Sequence, residues 1–207
     1  MLRYYITDGR RQANRAGWLL ERMAAAAAAG VDYIQLREKD LSAREQFELA
    51  RAAVERLRAF PATRLLINDR LDVALAAGAQ GVHLPAAGLE LAAARRLAPP
   101  GFLLARSCHT SGEVAAAAAA GADFAVLGPI FATPSKPGAA PLGLQCLAEA
   151  CRLPLPVLAL GGINAARAAD CLAAGAAGVA AIRWFQQADC GSPEASAAAS
   201  EPNAHSR

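Results

Sequence analysis

Three groups of residues have the types and spacing to handle anions. Arg37 and Lys39 flank Glu38 in "QLREKD", and Lys136 lies in "GPIFATPSKPG"; both stretches follow β-prone apolar runs. Cations placed there can neutralise phosphate or diphosphate oxygens. Gly161-Gly162 closes "LPVLALGG" just before a helical stretch, where backbone N–H groups can cradle a phosphate. The run from Gly178 to Ile182 and Arg183 can add a second set of contacts beside it. Asp69, in "INDR", is a hard oxygen donor suited to Mg²⁺, which usually takes one or two carboxylates plus substrate phosphates. Two anion sites and a metal ligand fit a diphosphate leaving group at one end of a site and a monophosphate at the other.

Each residue also has a plainer reading. Asp8 and Asn164 can cap helices, His83 can be a satisfied core histidine in the apolar run "GVHL", and Arg37 and Lys39 can be a solvated loop. What weighs against these readings is the common position of the polar residues, at the ends of β-prone runs. Eight such runs cover 3–7, 32–37, 64–68, 81–84, 102–106, 123–128, 155–161 and 178–182. Helical stretches at 14–29, 42–59, 71–77, 89–98, 111–120, 144–151 and 165–174 separate them, several ending at Gly30, Gly78, Gly121 or Gly175 as C-terminal caps. Strands alternating with helices pair in parallel, and eight units predict a compact α/β (β/α)8 TIM barrel, with an open doubly wound sheet as the runner-up. The eighth helix is weak or missing. A barrel over 1–187 is expected, followed by a disordered tail at 188–207, where the sequence is small, polar and interrupted by Pro. In such barrels chemistry sits at the C-terminal strand ends.

The totals narrow the function classes. The chain has 207 residues, 55% of them hydrophobic, with a formal charge of only +3, so neither nucleic acid nor a membrane surface is expected as a partner. No apolar run is long enough to span a bilayer, and "MLRYYITDGRR" lacks the features of a signal peptide. Five cysteines without a CxxC pair read as buried, reduced thiols of a cytoplasmic protein. The three histidines are scattered, which argues against a zinc site.

The motifs "YYITD", "GVDYIQLREKDLS", "LLINDRLDVALAAGAQGVHL", "RSCHT", "GADFAVLGPIFATPSKPG" and "LPVLALGGIN" occur in this order over residues 3–186. With them the chain resembles the thiamine phosphate synthase and thiazole tautomerase family, a barrel family. The resemblance implies an enzyme of thiamine biosynthesis that joins hydroxymethylpyrimidine diphosphate to thiazole phosphate and releases diphosphate with the help of Mg²⁺. It also implies small phosphorylated substrates, with a homodimer as one option for the assembly. By position, Gln35, Arg37 and Lys39 match pyrimidine and diphosphate contacts, while Asn68, Ser107 and Lys136 match the diphosphate side. His83 belongs to the same substrate-binding set, and Asp69 matches a magnesium ligand. Thr133, Ser135, Gly161, Gly162, Ile182 and Arg183 match the thiazole phosphate site.

The chain departs from the family's patterns at three positions. Gly88 stands where the synthase pattern has a second carboxylate, and Arg183 replaces a small residue. Pro129 occupies the position where the tautomerase branch has a histidine, although His83 or His109 could serve an isomerase as base. "HLP", "ARSCHT" and "AAIRWF" are most similar to synthase-like domains found fused behind Nudix hydrolases. A tautomerase-like isomerase and a non-catalytic phosphate-ligand binder are therefore the alternatives to a synthase.

Overall fold

The computed structural model describes residues 1–135 and 138–186. Its first half runs β1 (Leu2–Ile6), α1 (Arg15–Ala28), β2 (Tyr33–Leu36), α2 (Ala43–Leu57), β3 (Arg64–Asn68), α3 (Leu71–Ala77), β4 (Gly81–Leu84) and α4 (Leu91–Leu97). The second half runs β5 (Leu103–Cys108), α5 (Ser111–Ala119), β6 (Phe124–Leu127), α6 (Gly143–Ala150), β7 (Val157–Leu160), α7 (Ala165–Ala173) and β8 (Gly178–Ala181). The strands pair in parallel in chain order, and β8 pairs back onto β1 with Leu2 opposite Gly178. This is the closed barrel expected from the eight-fold alternation, not the open sheet.

The period-two alternation of strand side chains splits the apolar residues into two cores. Tyr4, Ile6, Leu66, Ala105, Phe124, Val126, Leu158 and Ala180 fill the barrel interior. The alternate positions, such as Tyr5, Ile34, Leu65 and Val82, pack outward against the helices. Alanines line the helix faces turned to the sheet, Ala26, Ala50, Ala53, Ala74 and Ala94 among them, so the helix backbones can approach closely. The predicted glycine caps form: Gly30, Gly78, Gly121 and Gly175 all have positive φ, where a Cβ would be strained.

Several boundaries move. β5 extends to Cys108, two residues past its expected end, which brings Ser107 into the strand. Helix α4 starts at Leu91 instead of residue 89, with Glu90 at its N-cap. In place of an eighth helix, the described residues after β8 form one 3₁₀ turn, Trp184–Gln186, and Phe185 is buried there against Tyr5. Cys108 and Cys171 are buried free thiols, whereas Cys146 and Cys151 are only half-buried. Cys190 and the tail at 188–207 lie outside the described residues. Among the described residues, no helix is long and apolar enough to cross a membrane.

Candidate active site

The β1 and β2 ends are joined by a buried carboxylate. Glu38, only 3% exposed, accepts hydrogen bonds from the Thr7 hydroxyl (2.7 Å) and the Gly9 N–H (3.2 Å) and forms an ion pair with Arg15. The Thr7 hydroxyl oxygen in turn accepts from the Arg37 N–H at 2.9 Å. Glu38 therefore anchors the short loop from which Arg37 and Lys39 project on either side. Arg37 is half-buried, and burial, together with the nearby charge of Arg10, pushes its guanidinium below the usual value. Lys39 is exposed. The sequence does not assign Glu38 a role, but an acid between two cations directly after a strand is the signal that marks it.

A chain of polar side chains crosses the barrel interior. Gln35 Nε2 donates to Tyr4 Oη (3.0 Å), Tyr4 Oη lies 3.1 Å from His83 Nδ1, and His83 Nε2 lies 2.7 Å from Ser107 Oγ. His83 is buried, and both ring nitrogens have partners. Burial, reinforced by the positive charges of Arg37 and Arg106, pushes it down to about 3, so the ring is neutral near pH 7. His83 is thus a satisfied interior histidine whose path to the barrel mouth runs through Ser107. Tyr4, which links Gln35 to His83, is a residue that reading strand ends misses, because it sits in mid-strand and reads as core. His109 is tied down separately, with Nδ1 2.6 Å from the Gly128 carbonyl.

On the next strands, Asn68 pairs in register with His83, and the Asp69 N–H donates to the His83 carbonyl at 2.9 Å. Asp69 has φ of 65°, the left-handed conformation that non-glycine residues rarely adopt. Its side chain is exposed. A Cβ built on Gly88 would lie 3.0 Å from Asp69 Oδ1 and 2.9 Å from Pro85 Cδ. Position 88 therefore adjoins Asp69, as paired metal ligands would require, but contributes no carboxylate. Arg106 holds the Gly88 loop by donating to the carbonyls of Ala86 (2.7 Å) and Leu89 (2.9 Å). Among the described residues no group of three or more His, Cys, Asp or Glu side chains is arranged to hold a metal. A lone exposed carboxylate fits a Mg²⁺ that arrives on a diphosphate, not a preformed protein cage.

The other arc of the mouth is backbone. Gly161 and Gly162 have φ of 103° and 65°. A Cβ on Gly161 would fall 2.7 Å from Pro129 Cα, and one on Gly162 would fall 2.7 Å from the Ala132 carbonyl, so only glycine fits against the β6 loop. Arg167 fastens this turn: it donates to the Gly162 carbonyl at 2.8 Å, and its guanidinium lies 4.9 Å from the centre of the Phe131 ring. Asn164 caps α7 by accepting from the Arg167 N–H at 2.9 Å, as the plainer reading expected. In the β6 loop the Thr133 hydroxyl accepts from the Ser135 N–H at 3.3 Å. Ile182 packs against the interior core, and Arg183 is exposed. Lys136 lies outside the described residues.

Comparison with known proteins bears on the family and the fold. The family model described as thiamine monophosphate synthase matches residues 3–185. A protein of Methanoculleus marisnigri named thiamine-phosphate synthase is 46% identical over 181 residues, covering 86% of this chain and 84% of the relative. A Geobacter sulfurreducens relative that carries the same name provisionally is 51% identical, with the same coverage. The solved structure of a thiamine phosphate pyrophosphorylase from Pyrococcus furiosus superposes with a TM-score of 0.79 at 30% identity, over 91% of this chain and 89% of that one. A family match spanning nearly all of the barrel, with relatives at this identity, establishes that the chain belongs to the thiamine monophosphate synthase family.

Proposed function

We propose that the protein is a thiamine phosphate synthase, a transferase that joins hydroxymethylpyrimidine diphosphate to thiazole phosphate in the cytoplasm and releases diphosphate. One observation carries this reading: the mouth has two unlike anion-handling arcs. Side chains Arg37, Asn68, Asp69 and Ser107 come from β2, β3 and β5 and the loops after them, and the Gly161-Gly162 turn faces them beside the loop of Thr133 and Ser135.

On the first arc, Arg37 and Lys39 neutralise the diphosphate and Asn68 and Ser107 donate to its oxygens, and the family pattern assigns Lys136 the same diphosphate-side role. Asp69 would hold Mg²⁺ against the diphosphate, where the ion stabilises the charge of the departing group. With Gln35 Nε2 committed to Tyr4, the amide oxygen of Gln35 is left to accept from the pyrimidine. On the second arc, the Gly161-Gly162 backbone, Thr133, Ser135 and the Ile182-Arg183 segment hold the thiazole phosphate, so that its nitrogen approaches the pyrimidine carbon as diphosphate departs. Catalysis of this kind is chiefly positioning and charge neutralisation.

Isomerase chemistry through His83 is disfavoured, because a general base poised near neutral pH is needed and His83 is pushed down to about 3. Gly88, beside Asp69, favours one second reading: a protein that binds the same phosphorylated ligands without turnover. An assay with both substrates and a Mg²⁺ titration separates the two readings. Thiamine phosphate formed at a rate that depends on Mg²⁺ supports the synthase. No product at high enzyme and high Mg²⁺, with thiazole phosphate still bound by calorimetry, overturns it in favour of the binder.

A further inference from the structure

The interior chain from Gln35 to Ser107 has a direction. A phenol carries one hydrogen, and a neutral imidazole has one donor and one acceptor nitrogen. With the phenol hydrogen spent on one of its two partners, the bonds Gln35–Tyr4, Tyr4–His83 and His83–Ser107 run in one of two senses, and the reverse sense requires the Gln35 amide to turn its oxygen toward Tyr4. With Gln35 Nε2 donating to Tyr4 Oη, the Tyr4 hydrogen goes to His83 Nδ1, 3.1 Å away. The His83 proton then sits on Nε2 and is donated to Ser107 Oγ, which leaves the Ser107 hydrogen unspent. In the reverse sense Ser107 gives that hydrogen to His83 and offers only lone pairs to the mouth. A His83 with a hydrogen on Nδ1, whether neutral or doubly protonated, would join Gln35 Nε2 as a second donor to Tyr4 Oη and strand a buried hydroxyl hydrogen, a costly arrangement.

Position in the barrel favours the first sense. Tyr4 is completely buried and wedged edge-on between Tyr33 (ring centres 5.9 Å apart) and Phe124 (5.6 Å). Ser107 is the one member of the chain that is part-exposed. An anion in the mouth accepts hydrogen bonds and gives none, so it pulls the whole chain into the sense that turns a hydrogen outward.

We propose that the buried chain Gln35–Tyr4–His83 fixes the Nε2–H tautomer of His83 and so makes Ser107 an obligate hydrogen-bond donor to the anion in the barrel mouth, with Tyr4 as the positioning residue. This rests on the reading of the mouth as a diphosphate site, and the test uses inorganic pyrophosphate so that it does not depend on turnover.

The ¹⁵N spectrum of uniformly labelled full-length protein contains only three histidines, and the His83→Gln variant assigns His83. The expected result is an acceptor-type shift at Nδ1 and a protonated-type shift at Nε2, unchanged when pyrophosphate and Mg²⁺ are added. In Tyr4→Phe, which keeps the ring and loses the hydroxyl, the Nδ1–H form appears. Pyrophosphate affinity by calorimetry falls about tenfold in Tyr4→Phe, the scale expected for one charge-assisted hydrogen bond. Ser107→Ala falls at least as far, and the Tyr4→Phe/Ser107→Ala double variant falls no further than Ser107→Ala alone. An Nδ1–H tautomer in the wild-type protein overturns the proposal whatever the variants do, and so does an additive double variant. Loss of pyrophosphate binding in the wild type, with the Nε2–H tautomer intact, instead overturns the diphosphate reading.

Discussion

Replacing Glu38 with Gln tests whether one buried carboxylate holds the cationic arc in place. The change keeps the shape of the side chain and removes its charge. Thr7, Gly9 and Arg15 all donate to Glu38 oxygens, so the glutamine amide must turn its NH₂ toward at least one donor. Breaking a buried ion pair from one side typically costs about 3–5 kcal/mol. Arg15 is partly solvent-exposed and keeps Asp40 at 2.7 Å, which discounts the loss to about 2 kcal/mol. For a chain of this length that lowers Tm by roughly 4–8 °C. A second effect follows through Thr7, which holds the Arg37 N–H at 2.9 Å. Once Thr7 is free to turn, Arg37 loses its fixed direction, and pyrophosphate affinity is expected to fall about five- to tenfold. Differential scanning calorimetry and pyrophosphate titration measure the two effects, with Asp40→Asn as the exposed-partner control. The reasoning fails if Glu38→Gln melts within about 1 °C of wild type, or if Asp40→Asn costs as much.

Acid should weaken the fold through His83. Its folded value of about 3 lies below the ordinary 6.5, so the unfolded chain takes up a proton that the folded chain refuses. The resulting stability is complete above about pH 6.5 and is lost as pH falls toward 3, amounting to about 2 kcal/mol between pH 7 and pH 5. Urea unfolding at the two pH values should show that loss in wild type and not in His83→Gln; equal losses in both refute it. At the phosphate turn, Gly162→Ala would force a side chain to φ of 65° and within 2.7 Å of the Ala132 carbonyl. A stability loss of about 2–3 kcal/mol is expected from strain and crowding. If turnover is measurable, KM for thiazole phosphate should rise more than KM for the pyrimidine diphosphate. A rise confined to the pyrimidine substrate would move the phosphate site elsewhere.

Much of the architecture could be read locally. Apolar runs of four to seven residues, glycines at helix ends and the Asn164 cap are short-range signals, because propensity, capping and side-chain alternation depend on neighbours within a few positions. Eight repeats of one such pattern imply a barrel, and the barrel says which loops share a face. That reasoning singled out Arg37, Asp69 and Gly161-Gly162 as candidates. It gave no role to Glu38, Arg15, Arg106 or Tyr4, whose partners lie on other strands, loops or helices.

Barrel closure decided the rest. Tyr4 and His83 are 79 positions apart and meet only because β1 to β4 curve around one interior, and β5 then brings Ser107 within 2.7 Å of the same ring. The resemblance to the synthase pattern marks Gly88 as the place of a missing carboxylate, but only the loop held by Arg106 sets it against Asp69. His83 shows the difference most clearly. In the sequence it reads equally well as a core residue, a base or a ligand contact. Burial removes the water that would let it charge, and its two partners fix where its proton sits. Residue type determines what a side chain is able to do; the packed barrel selects one of those roles by controlling solvent and hydrogen-bond partners, which no local pattern records.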